Sequence, residues 1–352
     1  MTRLRSTPYH TSALDGLRGA AILCVLLAHA GLPLFGGSLI MFTLSGYLIT
    51  SRLMDECEET GTINTGAFYA RRVRRLWPAL LVMVIGVNVW VGLSQPAQGV
   101  TLVIETLYAL VGMSNWAQIW HAPQTAIFAH LWSLSIEMQF YLVWPVGVLL
   151  LRSRRRVLWV SLTVAAASWL IRALAVTSDA PIGVLYVTTY TRLDGLFIGC
   201  ALAAALSPLH LTRLASWSQR SHLPPVIQAA AVAVMMTCLL AYPLYEPMTY
   251  IVSLPLVAGG TALLITGCVL PHETWIARGL SQRWSVALGK ISYGVYLWHW
   301  PLKMLMHDAL PGEAGIIGGI GGVILGVLSY RWIEAPLMKT RPQGHNIKSP
   351  PG

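Results

Sequence analysis

Charged residues are scarce in this chain. Only 11% of its 352 residues are Asp, Glu, Lys or Arg, whereas a soluble domain contains about 25%. The mean hydropathy is +0.60, and several stretches of about 20 residues, the length needed to cross a bilayer, carry one charge or none. The composition excludes an ordinary soluble domain and predicts an all-α, polytopic integral membrane protein.

Cysteine is also sparse, and its positions suggest no chemistry. Four of the five cysteines, Cys24, Cys200, Cys238 and Cys268, lie inside apolar segments, and only Cys57 lies in a predicted polar loop. An odd number without paired Cys/His spacing indicates neither a disulfide framework nor a metal site. We expect structural thiols and no bound metal.

Signs of additional segments are missing as well. Residues 1–5 are too polar, and the first apolar run is too long, for a cleaved secretory signal. The chain shows no periodic repeat, no low-complexity tract and no segment long enough to form a soluble domain. We therefore expect one transmembrane domain over residues 1–340 and a disordered cytoplasmic tail over residues 341–352, which contain three prolines.

Basic residues are concentrated in every second connection between the apolar segments. The net charge of +10 indicates cytoplasmic loops rather than nucleic-acid binding, because Lys and Arg concentrate on the cytoplasmic side of membrane proteins. Arg3 and Arg5 precede the first apolar segment, and each second connection after it is basic. This pattern predicts about ten transmembrane helices with both termini in the cytoplasm. The predicted spans are 13–31, 36–54, 76–95, 134–151, 157–176, 184–206, 225–243, 250–270, 288–308 and 315–334.

The apolar stretch 100–117 does not fit this alternation. Counting it as a full span would put the basic run 152–156 outside the cell. We expect this stretch to be re-entrant or interfacial, on the outer side of the membrane.

Arg18 and His29 lie in the first apolar segment, eleven residues apart. At 100° per residue this spacing places both side chains on one helical face, separated by about 16 Å along the axis. A cation and an imidazole inside a membrane helix are costly without partners, so they are a functional-site hypothesis by default.

Four arginines, Arg71, Arg72, Arg74 and Arg75, precede the third predicted span. Arg72 and Arg75 are three residues apart and share a helical face. Basic residues at a cytoplasmic span entry are ordinary topology determinants. Guanidinium groups also bind phosphate bidentately, so the pair would suit a nucleotide-like anion as well.

A third polar group occupies residues 130–141. His130 and Glu137 are seven residues apart, which places them on one face of a continuous helix, and Glu137 and Tyr141 are neighbours four residues apart. A carboxylate at the mouth of a span could orient an imidazole or receive a proton from it. A lone histidine at this position is otherwise an interfacial anchor.

Further polar residues occur in the later spans. Arg192 and Asp194 lie two residues apart in one predicted span, so they cannot share a face of a regular helix and each needs its own partner. His299 lies between two tryptophans, a setting typical of packing. Glu334 and Arg331, three residues apart, most simply form a salt bridge on the last helix.

Together these strings resemble the membrane-bound acyltransferase-3 family, the O-acetyltransferases of lipopolysaccharide, exopolysaccharide and peptidoglycan. The family motifs are an R-x10-H pair, an FFVLSGFLI segment, an RxxR motif, an HLWSLSVEEQFY block and an ISYxxYLWHWP block. The corresponding strings of this chain begin with Leu14-Asp-Gly-Leu-Arg18 and His29 and continue with residues 42–50, 72–75, 130–137 and 291–301. The resemblance covers residues 14–336, in family order.

The chain departs from the family pattern at two positions. Leu39 stands where many members have an aspartate, and Met138 stands where a second glutamate is usual. Glu137 keeps the first glutamate, so only this residue inherits the family role. The fused SGNH esterase-like domain of some members is not expected, because the chain ends just after the last predicted span.

The resemblance implies transfer of an acyl group, usually acetyl, from cytoplasmic acetyl-CoA to a hydroxyl of a glycan or lipid-linked sugar at the bacterial inner membrane. No permanently bound cofactor is implied. Arg72 and Arg75 are expected to hold the CoA phosphates, and Arg18 to line the donor channel. His29 is expected to act as a general base or a transient acyl carrier, and Glu137 to orient a catalytic imidazole or relay a proton. Substrate contacts are expected from His130, Arg192, Asp194 and His299.

Two alternatives also fit parts of the sequence. A secondary transporter or flippase would use intramembrane Arg, His and Glu to bind substrate or relay protons. Such a protein favours inverted repeats and paired broken helices, which are not evident, and has no need of the RxxR cluster. Family members that acylate macrolides or other small molecules are the second alternative, because acceptor contacts dispersed over outer loops carry no motif.

Overall fold

The computed structural model describes residues 8–220, 223–241, 246–270 and 274–339, and these residues form helices and connections without strands. The predicted tail 341–352 lies outside the described residues. The α-helices are α1 (Pro8–His29), α2 (Gly37–Thr60), α3 (Thr65–Ser94), α4 (Gly99–Leu110), α5 (Ser114–Ile119), α6 (Trp132–Leu151), α7 (Arg154–Thr177), α8 (Ile182–Val187), α9 (Leu193–Ala205), α10 (Pro208–Arg220), α11 (Leu223–Ala241), α12 (Leu254–Val269), α13 (Trp275–Leu280), α14 (Arg283–His307), α15 (Ala314–Ser329) and α16 (Ala335–Lys339). Short 3₁₀ turns occur at Pro96–Gln98, Ala129–Leu131 and Thr189–Thr191, and π-helical turns at Thr249–Ser253 and Tyr330–Glu334.

Many of these helices are long and apolar enough to cross a membrane. Within the described ranges there are seven such helices, or eight if α9 and α10, which are sharply bent against each other, form one span. The all-helical membrane fold is therefore confirmed, whereas the count of about ten is not. The helices α2 and α14 have sufficient length, with 24 and 25 residues, but polar and charged side chains lower their hydropathy. The seven segments are Ser12–His29, Thr65–Ser94, Ala129–Leu151, Arg154–Thr177, Pro224–Ala241, Thr249–Val269 and Ala314–Met338.

Small residues let α1 and α14 pack against each other at close range. A Cβ atom at Gly19 would collide with the carbonyl oxygen of Ser285, and one at Gly289 would collide with the carbonyl oxygen of Asp15. The Ser285 hydroxyl also donates a hydrogen bond of 3.1 Å to the carbonyl of Gly16. Membrane helices associate through such small residues because the backbones can then approach closely. The helix α14 also packs along α15.

One arginine fastens the ends of three helices together. Arg154, at the start of α7, bonds the carboxylates of Glu58 and Asp55 near the end of α2, the latter at 3.1 Å. It also donates to the carbonyl of Ala203 near the end of α9, at 3.1 Å. This basic residue therefore makes specific structural contacts, in addition to its predicted influence on topology.

The prediction of one continuous span over residues 184–206 is wrong. An extended residue, Thr188, and the 3₁₀ turn Thr189–Thr191 separate α8 from α9. The buried Arg172 of α7 donates to the carbonyl of Thr191, whose hydroxyl donates to the carbonyl of Leu185 at 2.7 Å. Irregular backbone is tolerated at membrane depth only where protein groups satisfy it, and these side chains do so.

Two local predictions are also wrong. Cys57 is buried inside α2, which continues to Thr60, so it is not a loop residue; like the other four cysteines it is a free thiol. The expected Arg331–Glu334 salt bridge does not form among the described residues, and Glu334 instead accepts a hydrogen bond of 3.0 Å from Ser329. Residues Tyr330–Glu334 form a π-turn, so the spacing rule for α-helical ion pairs does not apply there.

The apolar stretch 100–117 forms two short helices, α4 and α5. The 12 residues of α4 extend about 18 Å, which is less than the ~30 Å thickness of the hydrocarbon core. Glu105 on α4 accepts hydrogen bonds from the backbone amides of Thr125 and Phe128, and so holds the loop that leads to His130. Burial raises the pKa of the Glu105 carboxyl, although the amide hydrogen bonds act in the opposite direction.

Candidate active site

Three adjoining cavities lie among the central helices. The first cavity, here termed the basic mouth, has a volume of about 280 Å³ and is lined by one acidic and five basic residues: Glu56, Arg52, Arg71, Arg72, Arg74 and Arg75. The second, the central cavity, has a volume of about 100 Å³ and shares Arg52, Arg72 and Arg75 with the basic mouth. The two cavities therefore meet at a set of guanidinium groups.

The third cavity, here termed the histidine cavity, has a volume of about 490 Å³ and is lined by His29 and His130. Its lining shares Val25, Ser38, Ser133 and Tyr296 with the central cavity. The Ser133 and Tyr296 hydroxyls lie 3.0 Å apart, and the Tyr296 hydroxyl donates to the carbonyl of His130. These two side chains form a polar neck between the cavities.

Arg18 and His29 lie on the continuous helix α1 and line different cavities. The Arg18 guanidinium has an ion-pair partner on its own helix, because its Nη1 atom lies 2.5 Å from a carboxylate oxygen of Asp15. It lines the central cavity together with Arg52, Arg72 and Arg75. The two residues are therefore separated along α1, with the Arg18 guanidinium at the central cavity and the His29 imidazole at the histidine cavity.

Arg72 and Arg75 lie inside α3, one helical turn apart, and both line the basic mouth and the central cavity. The Arg72 guanidinium carbon lies 5.3 Å from the centre of the Phe68 ring and 5.1 Å from that of Tyr141. Stacking on aromatic faces fixes a guanidinium while leaving its N–H groups available to an anion.

Glu137 is the acidic residue of the central cavity, and its bonds do not involve an imidazole. Its two oxygens accept hydrogen bonds of 2.8 Å from the hydroxyls of Ser45 and Tyr141. His130 precedes α6 in a 3₁₀ turn and lines the histidine cavity. Because the two residues do not lie on one continuous α-helix, the expectation that they share a helical face is wrong. The structure places Glu137 and His130 at different cavities.

His29 makes a direct contact with His299, 270 positions further along the chain. The Nδ1 atom of His29 lies 2.9 Å from Nε2 of His299. The two rings are inclined by only 13°, and their centres are 5.0 Å apart. Because the nitrogens are much closer than the ring centres, the imidazoles meet edge to edge, as in an N–H···N hydrogen bond.

The main chain and neighbouring side chains hold the His29 ring. Lys303 donates from Nζ to the His29 carbonyl at 3.0 Å, which satisfies a carbonyl in the last turn of α1. The Trp300 ring contacts the His29 ring edge-on, with 4.6 Å between their centres. Among the described residues no hydrogen bond reaches His29 Nε2, and this atom belongs to a residue that lines the histidine cavity.

His130 is the third imidazole of this cluster. Its ring centre lies 5.6 Å from that of His299 and 5.2 Å from that of Tyr296. The residue is only 6% exposed, and neither ring nitrogen has a well-formed hydrogen bond within the described chain. The carbonyl of Leu297, which lacks its intrahelical donor because residue 301 is proline, lies beside the ring. His130 thus brings unused hydrogen-bonding capacity to the cavity.

Arg192 and Asp194 are buried and lie behind the histidine cavity. Asp194 forms an ion pair of 2.6 Å with Arg172, which the sequence did not suggest as its partner. The Arg192 guanidinium carbon lies 5.4 Å from the ring centres of both Trp132 and Tyr186. Those rings line the cavity, so Arg192 supports its aromatic wall from behind.

Three residues of the site escaped sequence reasoning. Arg52 follows the 42–50 segment, and its position at the end of an apolar run is an available signal. Arg172 is a lone charged residue in an apolar span. Because such a charge is costly inside a membrane, its position was also an available signal. The position of Tyr296 depends on a contact between α14 and the turn before α6, where its hydroxyl donates to the carbonyl of His130.

The arrangement combines two chemical capabilities. One end carries several guanidinium groups and few carboxylates, which suits an anion with more than one phosphate. The other end carries an imidazole whose Nε2 atom has no hydrogen bond to a described residue, beside a cavity large enough for a small ligand. Imidazole can take up a proton or an acyl group near neutral pH.

Known proteins are similar to this chain in sequence. A family model described as an acyltransferase domain matches residues 11–331. The peptidoglycan O-acetyltransferase YrhL of Bacillus subtilis strain 168 is 33% identical over 94% of this chain and 55% of its own length. O-acetyltransferase OatA of Staphylococcus aureus strain NCTC 8325 is 28% identical over 95% of this chain and 58% of its own.

This chain spans little more than half the length of these relatives. No solved structure shows a significant match to it. The family model nevertheless covers the Arg18–His29 pair, the arginines of the basic mouth and the His299 segment in a single match. The chain belongs to the acyltransferase-3 family.

Proposed function

We propose that this protein transfers an acetyl group from acetyl-CoA, supplied on the cytoplasmic side, to a hydroxyl of a cell-envelope glycan. The observation that carries this proposal is the series of cavities, which begins at an arginine-lined mouth and ends at His29. The names of the relatives, which include peptidoglycan O-acetyltransferase, supply the reaction and the acceptor class.

The donor binds at the basic mouth. CoA is a nucleotide with several phosphates, and the arginines of the mouth outnumber its single lining carboxylate, Glu56. Arg72 and Arg75 hold the phosphates, and Arg18 and Arg52 guide the pantetheine arm through the central cavity. The apolar residues of that cavity, among them Val25 and Ile22, suit an uncharged chain that ends in a thioester.

Acyl transfer takes place where the histidine cavity begins. The thioester passes the neck at Ser133 and Tyr296 and reaches His29. The imidazole of His29 then acts either as general base on the acceptor hydroxyl or as a transient acyl carrier. The acceptor lies in the histidine cavity, where His130 supplies a hydrogen bond and the rings of Trp132 and Tyr186 form an apolar wall.

Glu137 acts in the central cavity, not beside the imidazoles. Its hydrogen bonds with Ser45 and Tyr141 hold a negative charge near Arg72. In this position the carboxylate balances the arginines before the donor binds, and a proton could pass along the Tyr141 hydroxyl. Arg192 and Asp194 contribute to acceptor binding only through the residues they support.

The protein resides in the bacterial inner membrane with ten spans and both termini in the cytoplasm. Adding α2, α14 and the broken segment of α8 and α9 to the seven candidate helices gives this count. The basic mouth then faces the cytoplasm, where acetyl-CoA is made, and the histidine cavity lies toward the outside. The alternation of basic connections supports this orientation.

Membrane vesicles provide the test. Vesicles that contain the protein receive acetyl-CoA labelled in the acetyl group, together with purified peptidoglycan. We expect label in hydroxyl-linked acetyl groups, and none with His29→Ala inserted at the same level. Uptake of a solute without acylation would favour the transporter alternative, and acylation of a macrolide but not of glycan would favour the small-molecule alternative.

A further inference from the structure

The hydrogen bonds around His299 restrict where its proton can lie. Its Nδ1 atom lies 2.8 Å from the carbonyl oxygen of Tyr296 and 3.2 Å from that of Val295. A carbonyl oxygen only accepts hydrogen bonds, so Nδ1 of His299 must carry the proton. In a neutral imidazole the Nε2 atom is then an acceptor with a free lone pair.

His299 is neutral in this environment. The residue is 1% exposed, and no carboxylate bonds it within the described part of the chain. The nearby described side chains that could carry a charge at neutral pH are all bases, so none supplies a negative charge. They are Lys303 on the same helix, His29 on α1 and His130 before α6. A buried imidazolium without a counter-ion is costly, so the neutral Nδ1–H form is the stable one.

The same reasoning fixes the proton of His29. Because Nε2 of His299 is an acceptor, the 2.9 Å contact requires Nδ1 of His29 to donate. The Nε2 atom of His29 is then left with a lone pair, and it is the nitrogen that no described residue bonds. A neighbour thus selects the tautomer of a reactive histidine, as a carboxylate does in serine proteases.

We propose that His299 is a positioning residue that holds His29 in the Nδ1–H tautomer, so that His29 Nε2 is the reactive atom of acyl transfer. The mechanistic part of this inference rests on the proposed function. The relay runs from the backbone carbonyls of α14 through His299 to His29, and uses no carboxylate.

In the transfer step Nε2 of His29 takes the proton of the acceptor hydroxyl while the oxygen forms a bond to the acetyl carbon. The carbon–sulfur bond breaks, and the CoA thiolate leaves and receives that proton from Nε2. The Nδ1–H···Nε2 bond to His299 persists throughout. The products are an acetyl ester and the free thiol of CoA, so no further reactant is required.

Two variants separate positioning from simple packing. His299→Phe keeps a planar ring but removes both nitrogens. His299→Gln keeps one donor and one acceptor at about the spacing of the imidazole nitrogens, so it can bond a backbone carbonyl and His29 together. We expect His299→Phe to lower kcat by about 100-fold or more with little change in KM for acetyl-CoA. We expect His299→Gln to keep at least about a tenth of the kcat of the unmodified protein. Wrong-tautomer effects in other enzymes reach about 10⁴.

The deciding experiment is ¹⁵N NMR of the full chain in detergent micelles with labelled histidine. The His29 signals are assigned by their absence in His29→Ala, because the chain has ten histidines. We expect a protonated Nδ1 and an unprotonated Nε2 in the unmodified protein, retention of this pattern in His299→Gln, and its loss in His299→Phe. A protonated Nε2 in the unmodified protein, or an unchanged pattern in folded His299→Phe, overturns the proposal.

This spectrum is recorded without substrate, so it is independent of the proposed function. If acetyl transfer to peptidoglycan is absent while the spectrum shows the expected tautomer, the assigned reaction is wrong and the positioning role stands. If His299→Phe does not fold, the unmodified protein still decides the tautomer and His299→Gln decides the dependence of rate on the hydrogen bond.

Discussion

Gly322 of α15 lies directly against the backbone of His299. A Cβ atom at position 322 would come within 2.7 Å of the His299 Cβ and 2.8 Å of its Cα. The neighbouring Gly318 makes a similar approach to the His299 carbonyl, at 2.5 Å. The helix behind His299 is therefore glycine-lined where it meets the imidazole pair, and its fit sets the position of that pair.

Replacing this glycine should disturb the reaction. Gly322→Ala forces α14 and α15 apart, because backbone atoms rather than a flexible side chain occupy the space. We expect the rate of acetyl transfer to fall by about ten-fold or more, since small displacements of reacting groups are costly. Gly319→Ala in the same helix is the matched control, because nothing lies within 4 Å of its added Cβ. Equal rates for the two variants would show that the contact does not matter.

The basic mouth should determine donor affinity. Arg75→Ala and Arg52→Ala each remove a guanidinium from the cavity, and a lost hydrogen bond to a charged group is worth about 1.5–3 kcal/mol. We therefore expect KM for acetyl-CoA to rise about ten-fold or more for each variant. Arg155→Ala, which removes an exposed arginine on α7, is the control and should leave KM unchanged. If all three behave alike, the mouth arginines serve topology only.

At Arg72 geometry should matter as well as charge. Its guanidinium lies over the rings of Phe68 and Tyr141. Arg72→Lys keeps the charge but loses the planar fork and the stacking. We expect its KM for acetyl-CoA to lie between those of the unmodified protein and Arg72→Ala, as measured by initial rates. A value equal to the unmodified one would mean that charge alone suffices.

The buried ion pair of Arg172 and Asp194 should stabilise the broken segment between α8 and α9. Asp194→Asn leaves a buried guanidinium without its counter-charge, which costs about 3–5 kcal/mol. We expect lower thermal stability in detergent for this variant and for Arg172→Met. The double variant Arg172→Met/Asp194→Asn should lose less than the sum of the two single effects, because the charges act on each other. Strict additivity contradicts this account.

Glu105 should add a pH-dependent contribution to stability. Its folded-state pKa is raised by burial, so the folded protein retains this proton more readily than the unfolded chain. Stability from this group is full below the unfolded pKa, about 4.3, and is lost as pH rises through the folded pKa. Thermal unfolding between about pH 4 and pH 7 should show a smaller slope for Glu105→Gln than for the unmodified protein. Identical slopes would exclude a role for this carboxyl.

Features that depend on neighbouring residues were accessible from the sequence. The long helices follow from runs of apolar residues, and the stretch 100–117 is too short and interrupted to be one of them. Glu137 and Tyr141, four residues apart, do contact each other on α6. Such pairs are fixed by helical geometry, which the sequence encodes directly.

Features that depend on contacts between distant residues could not be predicted from the sequence. The partner of His29 is 270 positions away, and a single sequence contains no information on which helices adjoin. The break before α9 is stabilised by Arg172 from another helix, so local propensity predicts a continuous span instead. The 3₁₀ turn at His130 and the π-turn at Glu334 changed side-chain directions that had been derived for a regular α-helix.

The central claim is that acetyl groups enter at the basic mouth and are transferred at His29. Sealed vesicles with a defined orientation test it most directly, with labelled acetyl-CoA supplied on one side and peptidoglycan on the other. We predict labelled glycan only when acetyl-CoA is on the side of the basic mouth, and none with His29→Ala. Transfer by His29→Ala at the rate of the unmodified protein, or transfer independent of the side of addition, would contradict the account.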